Sequence, residues 1–519
     1  MSLTRDIGTV GSATLMSRVL ALLRDMGVAA VLGAGPLSDA YFAALQIPNL
    51  FRRLLSEGAL NGALVPMWLR LRAGSSESAR AFGEQVFAVA LITLGAFALV
   101  CAIFAPTAIH LVAPGFAENS ERFADAVVFL RWSISYVVIA GLSAVAVAIL
   151  NAEGRVAAAA GSVAMFNFVL VGAVAAVILF GTGHSRLSGT ILTLSFAIAG
   201  LLQFALLLFA LSKLNDIPRR LRFAMSADVR QFLGRAIPAV IAAGIPALTF
   251  IAGTIIVSSS DAAVSWLYYA YRLYEVPLGV VSVAVASVLA PRIAASLHAG
   301  DAGVTVATQS RAVEIALGLG LPAALGLALL AEPIAGVLFE RGAFTASDTT
   351  AVATAIFMIA AGLPGHGIEK VFAATCFARE ETSTPMFTAL FGFVVTIAAA
   401  LVLFPRYGHA GVAAAVGCAG WASSLVLGIV LRRRHWLALE RGIVRRLAAI
   451  VAASAIMAAA LTLCLHLETH VLGVITSATV RLLTLIVLIP LGLAVYLFCL
   501  QLLSVIRIGQ LVNALRRGI

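Results

Sequence analysis

Apolar residues run along this chain in long blocks separated by short polar or charged punctuation, without the period-two alternation of half-buried strands. The blocks 87–111 and 482–503 are examples, each twenty residues or more. A helix needs about 20 such residues to cross a bilayer, whereas a barrel strand needs about 9–11 of alternating polarity. Only helices satisfy every backbone group within one such block. The blocks predict an all-α polytopic membrane protein of about 14 transmembrane helices, near 8–32, 40–69, 84–112, 124–150, 157–181, 188–212, 232–257, 263–294, 309–338, 348–377, 384–404, 410–431, 445–467 and 480–505. The first, second and eighth are the least uniformly apolar.

An even number of spans puts both termini on one side. Of the 35 basic residues, 23 fall at connections on the terminal side and six on the other. The positive-inside rule therefore predicts cytoplasmic termini.

Composition narrows the class further. Hydrophobic residues make up 61% of the 519, charged residues 11%, and mean hydropathy is +1.04. Soluble globular proteins carry about 45–50% apolar and about 25% charged residues. A soluble enzyme, a disordered chain and a secreted disulfide scaffold are excluded. The five cysteines lie in apolar stretches without Cys-x-x-Cys pairing and read as small buried hydrophobes. No cleavable signal peptide is expected. The net charge of +11 is mostly arginine at the predicted cytoplasmic interface, so no nucleic acid partner is implied; membrane lipids are.

The chain also resembles itself. Ser38-Asp39-Ala40 recurs as Ser260-Asp261-Ala262, and Ala113-Pro114-Gly115-Phe116 has a counterpart in Arg341-Gly342-Ala343-Phe344. Asn151-Ala152-Glu153-Gly154-Arg155 and Cys376-Phe377-Ala378-Arg379-Glu380 close one predicted helix in each half. The offsets of 222 to 228 residues equal six spans, so the halves share one orientation about an axis along the membrane normal. This predicts an N-lobe over 1–215, a C-lobe over 225–435 and two further helices in 440–519, with a basic connector from Lys213 to Arg235.

Six basic residues lie inside predicted spans: Arg18, Arg24, Arg52, Arg53, Arg272 and Lys370. Each costs ~2.5–3.5 kcal/mol at a helix centre. Asp25, Asp39, Glu57, Glu275 and Glu369 are the nearby acids. Arg53 and Glu57 are four apart, Arg272 and Glu275 three apart, and Arg18 and Asp25 seven apart, so each pair shares a helix face. The simpler alternative makes these structural ion pairs. Against it, four arginines face three acids in the first two helices. Guanidinium groups grip phosphate with parallel hydrogen bonds, so a cationic cavity implies an anionic, phosphate-bearing substrate. Asn49, beside Pro48, joins the candidate set. Neither a nucleotide-binding Gly-Lys-Ser/Thr loop nor His-Glu-x-x-His occurs, and the eight histidines are scattered. No enzymatic activity, cofactor or metal is expected.

Ser17-Arg18-Val19-Leu20, Arg24-Asp25, Gly33-x-Gly35-x-x-x-Asp39-Ala40-Tyr41 and the block from Pro48 through Arg52-Arg53 to Gly58-Ala59 resemble the MurJ (MviN) family. So do the segments Tyr268–Gly279 and Leu338–Thr345. The resemblance implies the multidrug/oligosaccharidyl-lipid/polysaccharide exporter fold. It further implies a lipid II flippase of peptidoglycan synthesis in the bacterial inner membrane, working by alternating access. The family's functional charges map onto Arg18, Arg24, Asp39, Arg52, Arg53 and Arg272, and the last two helices would form a groove for the lipid tail. Lipid II is then the substrate, and cell-wall synthesis enzymes are the implied protein partners.

Two departures matter. Tyr271 stands where relatives often carry Asp. The sodium site described for some members uses carboxylates and Asn, and 235–258 and 383–404 contain no Asp, Glu or Asn. This leaves membrane potential or protons as drivers. A drug or cation antiporter on the same fold would need an acidic cavity. A transferase or phosphatase acting on polyprenyl phosphates would need a larger extramembrane loop. A scaffold for cell-wall enzymes leaves the buried arginines unexplained.

The topology is testable with the native cysteines replaced. Single cysteines at Gly35 and Ser185 should react with an impermeant thiol reagent from outside, and those at Ser75 and Asp216 should not. Reversed labelling overturns the orientation; mixed labelling overturns the span count.

Overall fold

The computed structural model describes residues 3–56, 59–117, 120–214, 218, 220–472 and 478–505. The first half contains α1 (Leu3–Leu32), α2 (Pro36–Ser56), α3 (Ala59–Gly74), α4 (Ser76–Ile103), α5 (Ala105–Val112), α6 (Glu121–Ser133), α7 (Ser135–Ala152), α8 (Val156–Leu179) and α9 (Arg186–Ser212). The second contains α10 (Ala227–Val257), α11 (Ala263–Ala284), α12 (Ala290–His298), α13 (Ala302–Leu329), α14 (Ala331–Phe339), α15 (Ala346–Ala360), α16 (Leu363–Phe377) and α17 (Ser383–Arg433). α18 (Ile443–Leu472) and α19 (Ala478–Leu502) follow. No strand occurs among the described residues.

Every predicted span falls on these helices, and the differences lie where helices break. The span at 84–112 divides into α4 and α5, and that at 348–377 into α15 and α16, which meet at 42°. Proline in the first turn of α5 and α16 marks both breaks, where a residue without an N–H costs least. A π-helical turn, Val285–Leu289, joins α11 to α12. Conversely, the spans at 384–404 and 410–431 run together as α17, bent at Gly408, whose φ of 54° is not helical. Its 51 residues, at about 1.5 Å each, are long enough for two crossings of a core about 30 Å thick.

By length and apolarity alone, eight described helical runs are sufficient to cross a membrane, and the bent pair α15–α16 makes nine. α1, α2 and α11 fall outside that set; they carry the intramembrane arginines. Serine hydroxyls close several N-termini: Ser75, Ser120, Ser185 and Ser226 each accept from the backbone N–H three residues on.

The chain divides into two compact units. One comprises Met1–Ser265 with Arg341–Thr345, the other Trp266–Glu340 with Ala346–Ile519. In the first unit α1 packs on α8, α8 on α9, and α2 on α6. Its core includes Trp68, Phe82, Ile149 and Phe232. α10, expected to open the C-lobe, packs here against α2 and α3. Its apolar face at Val229, Phe232 and Ala236 fills the core left by α3, α4 and α7. In the second unit α13 packs on α16 and α18, and α18 on α19. Val281, Ile293, Phe372 and Leu427 centre one core there, and Ile450, Met457, Leu488 and Tyr496 another.

The connector is fastened by Glu84, whose side chain is 2% exposed. It pairs with Arg222 at 2.6 Å and accepts from the Arg220 N–H at 3.3 Å, while its own carbonyl accepts from the Arg222 N–H. Hydrogen bonds to a charged group contribute ~1.5–3 kcal/mol each. Glu84→Ala should therefore raise the rate of limited tryptic cleavage after Arg220 and Arg222 by roughly tenfold or more at ~1.4 kcal/mol per decade. An unchanged rate would mean that this carboxylate does not hold the connector.

Candidate functional site

Arg24 sits where α1 meets α8. Its Nη2 donates to Asp25 at 2.7 Å and its Nε at 3.0 Å, and its Nη1 donates to Asn167 Oδ1 at 3.3 Å. Asn167 Nδ2 in turn donates to Ser17 Oγ at 3.0 Å. Ser17 and Arg24 are two turns apart, so both reach the α8 face of α1. The Arg24 side chain is 12% exposed and that of Asp25 4%, which makes this a charge held by a preformed polar frame. Asn167 was not among the expected site residues. The signal for it was a single Asn inside the apolar helix α8. Arg18, expected to share a face with Asp25, is exposed on α1.

A second arginine approaches from α2. Asn49 Oδ1 accepts from Arg52 Nε at 3.4 Å, and Arg52 and Arg53 are half-buried. The buried Tyr136 of α7 lies within electrostatic reach of both Arg24 and Arg52. Its ring packs on Phe166 and Phe196, with centroids 5.1 and 6.1 Å away. Two half-buried cations, one on α1 and one on α2, thus belong to the first unit. Tyr136 reads from sequence as an ordinary core aromatic. Glu57 lies outside the described residues.

In the second unit, Arg272 Nη1 donates to Glu275 at 3.1 Å, one turn along α11. Both side chains are about a quarter exposed, at 25% and 27%. One residue before Glu275, the Tyr274 hydroxyl meets His366 Nδ1 at 2.9 Å. Lys370 is exposed and Glu369 half-buried on the same helix as His366.

Asp39 has a different setting from these charges. It is fully buried at the start of α2, where it accepts from the Ser265 N–H at 2.9 Å and from Ser265 Oγ at 2.6 Å. Arg122 pairs with it at 3.5 Å and with Asp261 at 2.8 Å. The same guanidinium donates to the carbonyls of Ser258 and Ser260 and lies 4.2 Å from the Phe116 ring centroid. The two Ser-Asp-Ala copies of the internal repeat therefore meet on one arginine. Arg122 was counted from sequence only as a loop charge.

The repeated Gly-containing turns make the reciprocal half of this clasp. The Gly115 N–H donates to Ser258 Oγ at 2.9 Å, and the Ala343 N–H donates to the Ala30 carbonyl at 2.8 Å. A Cβ on Gly115 would overlap the Ser258–Ser259 backbone, and one on Gly342 the Ala30 carbonyl. Gly342 also has a φ of 59°, which other residues adopt only with strain. The first turn thus docks beside Ser260-Asp261-Ala262, and the second on the last turns of α1.

A family model described as "Lipid II flippase MurJ" matches residues 28–483. The chain belongs to the MurJ lipid II flippase family. Among MurJ relatives, a probable lipid II flippase from Rhizobium meliloti (strain 1021) is 36% identical over 499 residues, covering 96% of this chain and 93% of the relative. A solved lipid II flippase MurJ in an inward closed conformation has the same fold, with a TM-score of 0.80 at 23% identity over 94% of this chain and 97% of that one. An inward-facing multidrug resistance transporter of the MATE family in the MOP superfamily has a TM-score of 0.66 at 15% identity, over 82% of this chain and 97% of that one. Both solved structures share the fold of this chain, and all the expected site residues lie within or just before the region matched by the family model.

The clasp predicts its own cross-link. Ser38 Oγ and Ser265 Oγ are 2.8 Å apart. In a cysteine-free background, Ser38→Cys with Ser265→Cys should oxidise almost completely to an intramolecular disulfide. Recovery of both thiols after mild oxidant, in protein of normal stability, would show that the two connections do not meet.

Proposed function

We propose that the protein flips lipid II, the undecaprenyl-diphosphate-linked peptidoglycan precursor, from the inner to the outer leaflet of the bacterial cytoplasmic membrane. The single observation that carries the mechanism is the pair of half-buried cations in the first unit, Arg24 in its Asp25–Asn167 frame and Arg52 beside Asn49. In this reading those cations receive the diphosphate from one repeat, Arg53 adds charge beside them, and Arg272 contributes from the other. Arg18, exposed at an earlier turn, serves the approach of the headgroup, and Asn49, Asp25 and Glu275 orient the arginines.

Electrostatics then couple ligand to conformation. At ~6 Å and an effective dielectric of ~20, two guanidinium groups repel by roughly 3 kcal/mol. A diphosphate that neutralises them removes that repulsion and favours closure by more than tenfold. The repeats 1–215 and 225–435 are the moving lobes, with 440–519 beside them as the tail groove. α10 belongs by sequence to the second lobe yet packs in the first compact unit, which suits a hinge. With the termini cytoplasmic, the Arg122 clasp lies at the outer face, and Asp39 acts there as a latch. Opening it releases cargo outward. Transport proceeds without covalent chemistry, and cell-wall synthesis enzymes consume the delivered lipid.

The test is lipid II accessibility at the outer leaflet of cells depleted of their own flippase. The wild-type chain should restore it. Arg24→Ala and Arg272→Ala should accumulate in the membrane yet fail to do so. Asn167→Leu, which removes one bond to a charged group, should lower activity by about tenfold. Full activity of both alanine variants at normal protein levels overturns the substrate-binding role.

A further inference from the structure

The first unit contains a cavity with no arginine in its lining and no role in the transport reading. It has a volume of about 240 Å³ and lies among α2, α3, α4, α7 and α10. Phe51, Leu55, Val86, Val145, Phe232 and Ala236 are among its walls. Thr93 is the one hydroxyl in the lining, and its Oγ1 already donates to the Val89 carbonyl at 2.7 Å. A water needs two to four polar partners, and an apolar cavity of about 150 Å³ stays dry and takes up benzene. This larger one offers nothing to a polar guest. Its complement is hydrocarbon.

The cavity opens between α4 and α10, at Ile237 and Thr93, both of which are exposed. Ile92, beside the mouth, is 53% exposed and Ile237 54%, so the opening faces the apolar surface that a membrane protein turns toward lipid. Arg230, in the first turn of α10, is exposed. Arg230 is seven residues before Ile237, hence on the same face and about 10 Å along the axis. Its side chain leans further that way, toward the headgroup layer. Among the described residues the Arg230 guanidinium has no acidic partner, although Arg70 and Arg222 nearby are paired with Asp228 and Glu84.

We propose that this cavity is a binding site for an anionic phospholipid, with one acyl chain inserted between α4 and α10 and the phosphate on Arg230. The occupant is a bilayer phospholipid rather than the transported lipid: Arg230 is exposed, whereas Arg24 and Arg52 are half-buried. The bound chain props α10 against α2 and α4, filling volume that would otherwise be void. The proposal stands independently of the transport reading.

The experiment uses the full-length protein, stripped of lipid in detergent and exposed to dioleoyl phosphatidylglycerol or dioleoyl phosphatidylcholine, with retained lipid counted by native mass spectrometry. Wild-type protein should retain phosphatidylglycerol preferentially. Ala90→Phe, which fills the cavity, should abolish retention of both lipids. Arg230→Gln should reduce the preference for phosphatidylglycerol by about fivefold while leaving chain binding in place. In the second measurement, a tryptophan at the mouth, Ile237→Trp, should be quenched by phosphatidylglycerol carrying brominated acyl chains; this does not depend on the filled variant folding. Unaltered retention by Ala90→Phe, or an unquenched Trp, overturns the site. Equal retention of the two phospholipids by wild-type protein overturns the headgroup assignment. Displacement of phosphatidylglycerol by undecaprenyl phosphate assigns the cavity to the substrate tail and overturns the phospholipid.

Discussion

The energetic cost of a guanidinium in hydrocarbon organises this protein. An arginine that water cannot reach must be held by acceptors within the fold, and α1 supplies them at one position through Asp25 and, across α8, Asn167. Because Asn167 also donates to Ser17, the frame ties α1 to α8 at two levels one above the other. Packing and charge placement are therefore the same structural feature. α1 can cross the membrane because its charge is solvated by protein, and the charge is positioned because α1 is packed.

The duplicated sequence has a physical consequence at the Arg122 clasp. Within the first compact unit Ser38-Asp39 and Ser260-Asp261 converge on one cation, while Gly115 docks on Ser258 and the Gly342 turn on Ala30 of α1. Buried Asp39 would be costly unpaired, and Ser265 with Arg122 satisfies it from three directions. Contacts of this kind hold when all partners are present and fail together when one leaves.

The helix breaks place polar groups without exposing backbone to lipid. Proline opens α5 and α16 where its missing N–H costs nothing, and the π turn after α11 shifts the register of the following residues. Irregular backbone is tolerated at membrane depth only where protein or a water-filled cavity covers it.

The sequence by itself determined the number and order of the apolar blocks, the surplus of intramembrane arginine, the internal repeat and the family motifs. These are properties of residues near one another in the chain, so composition and periodicity carry them. The tertiary structure alone decided which partner each charge takes. Asn167 lies 143 residues from Arg24, and Asp261 lies 139 from Arg122. Asp39, one more intramembrane carboxylate by sequence, became the centre of the clasp, and Arg122, a loop charge by sequence, became its bridge. α10, placed by the repeat in the second lobe, packs in the first unit because Val229, Phe232 and Ala236 complete a core that α3, α4 and α7 leave open. Helices are specified by short-range periodicity, but the desolvation of a charge depends on every surface that closes around it, and those surfaces come from distant parts of the chain.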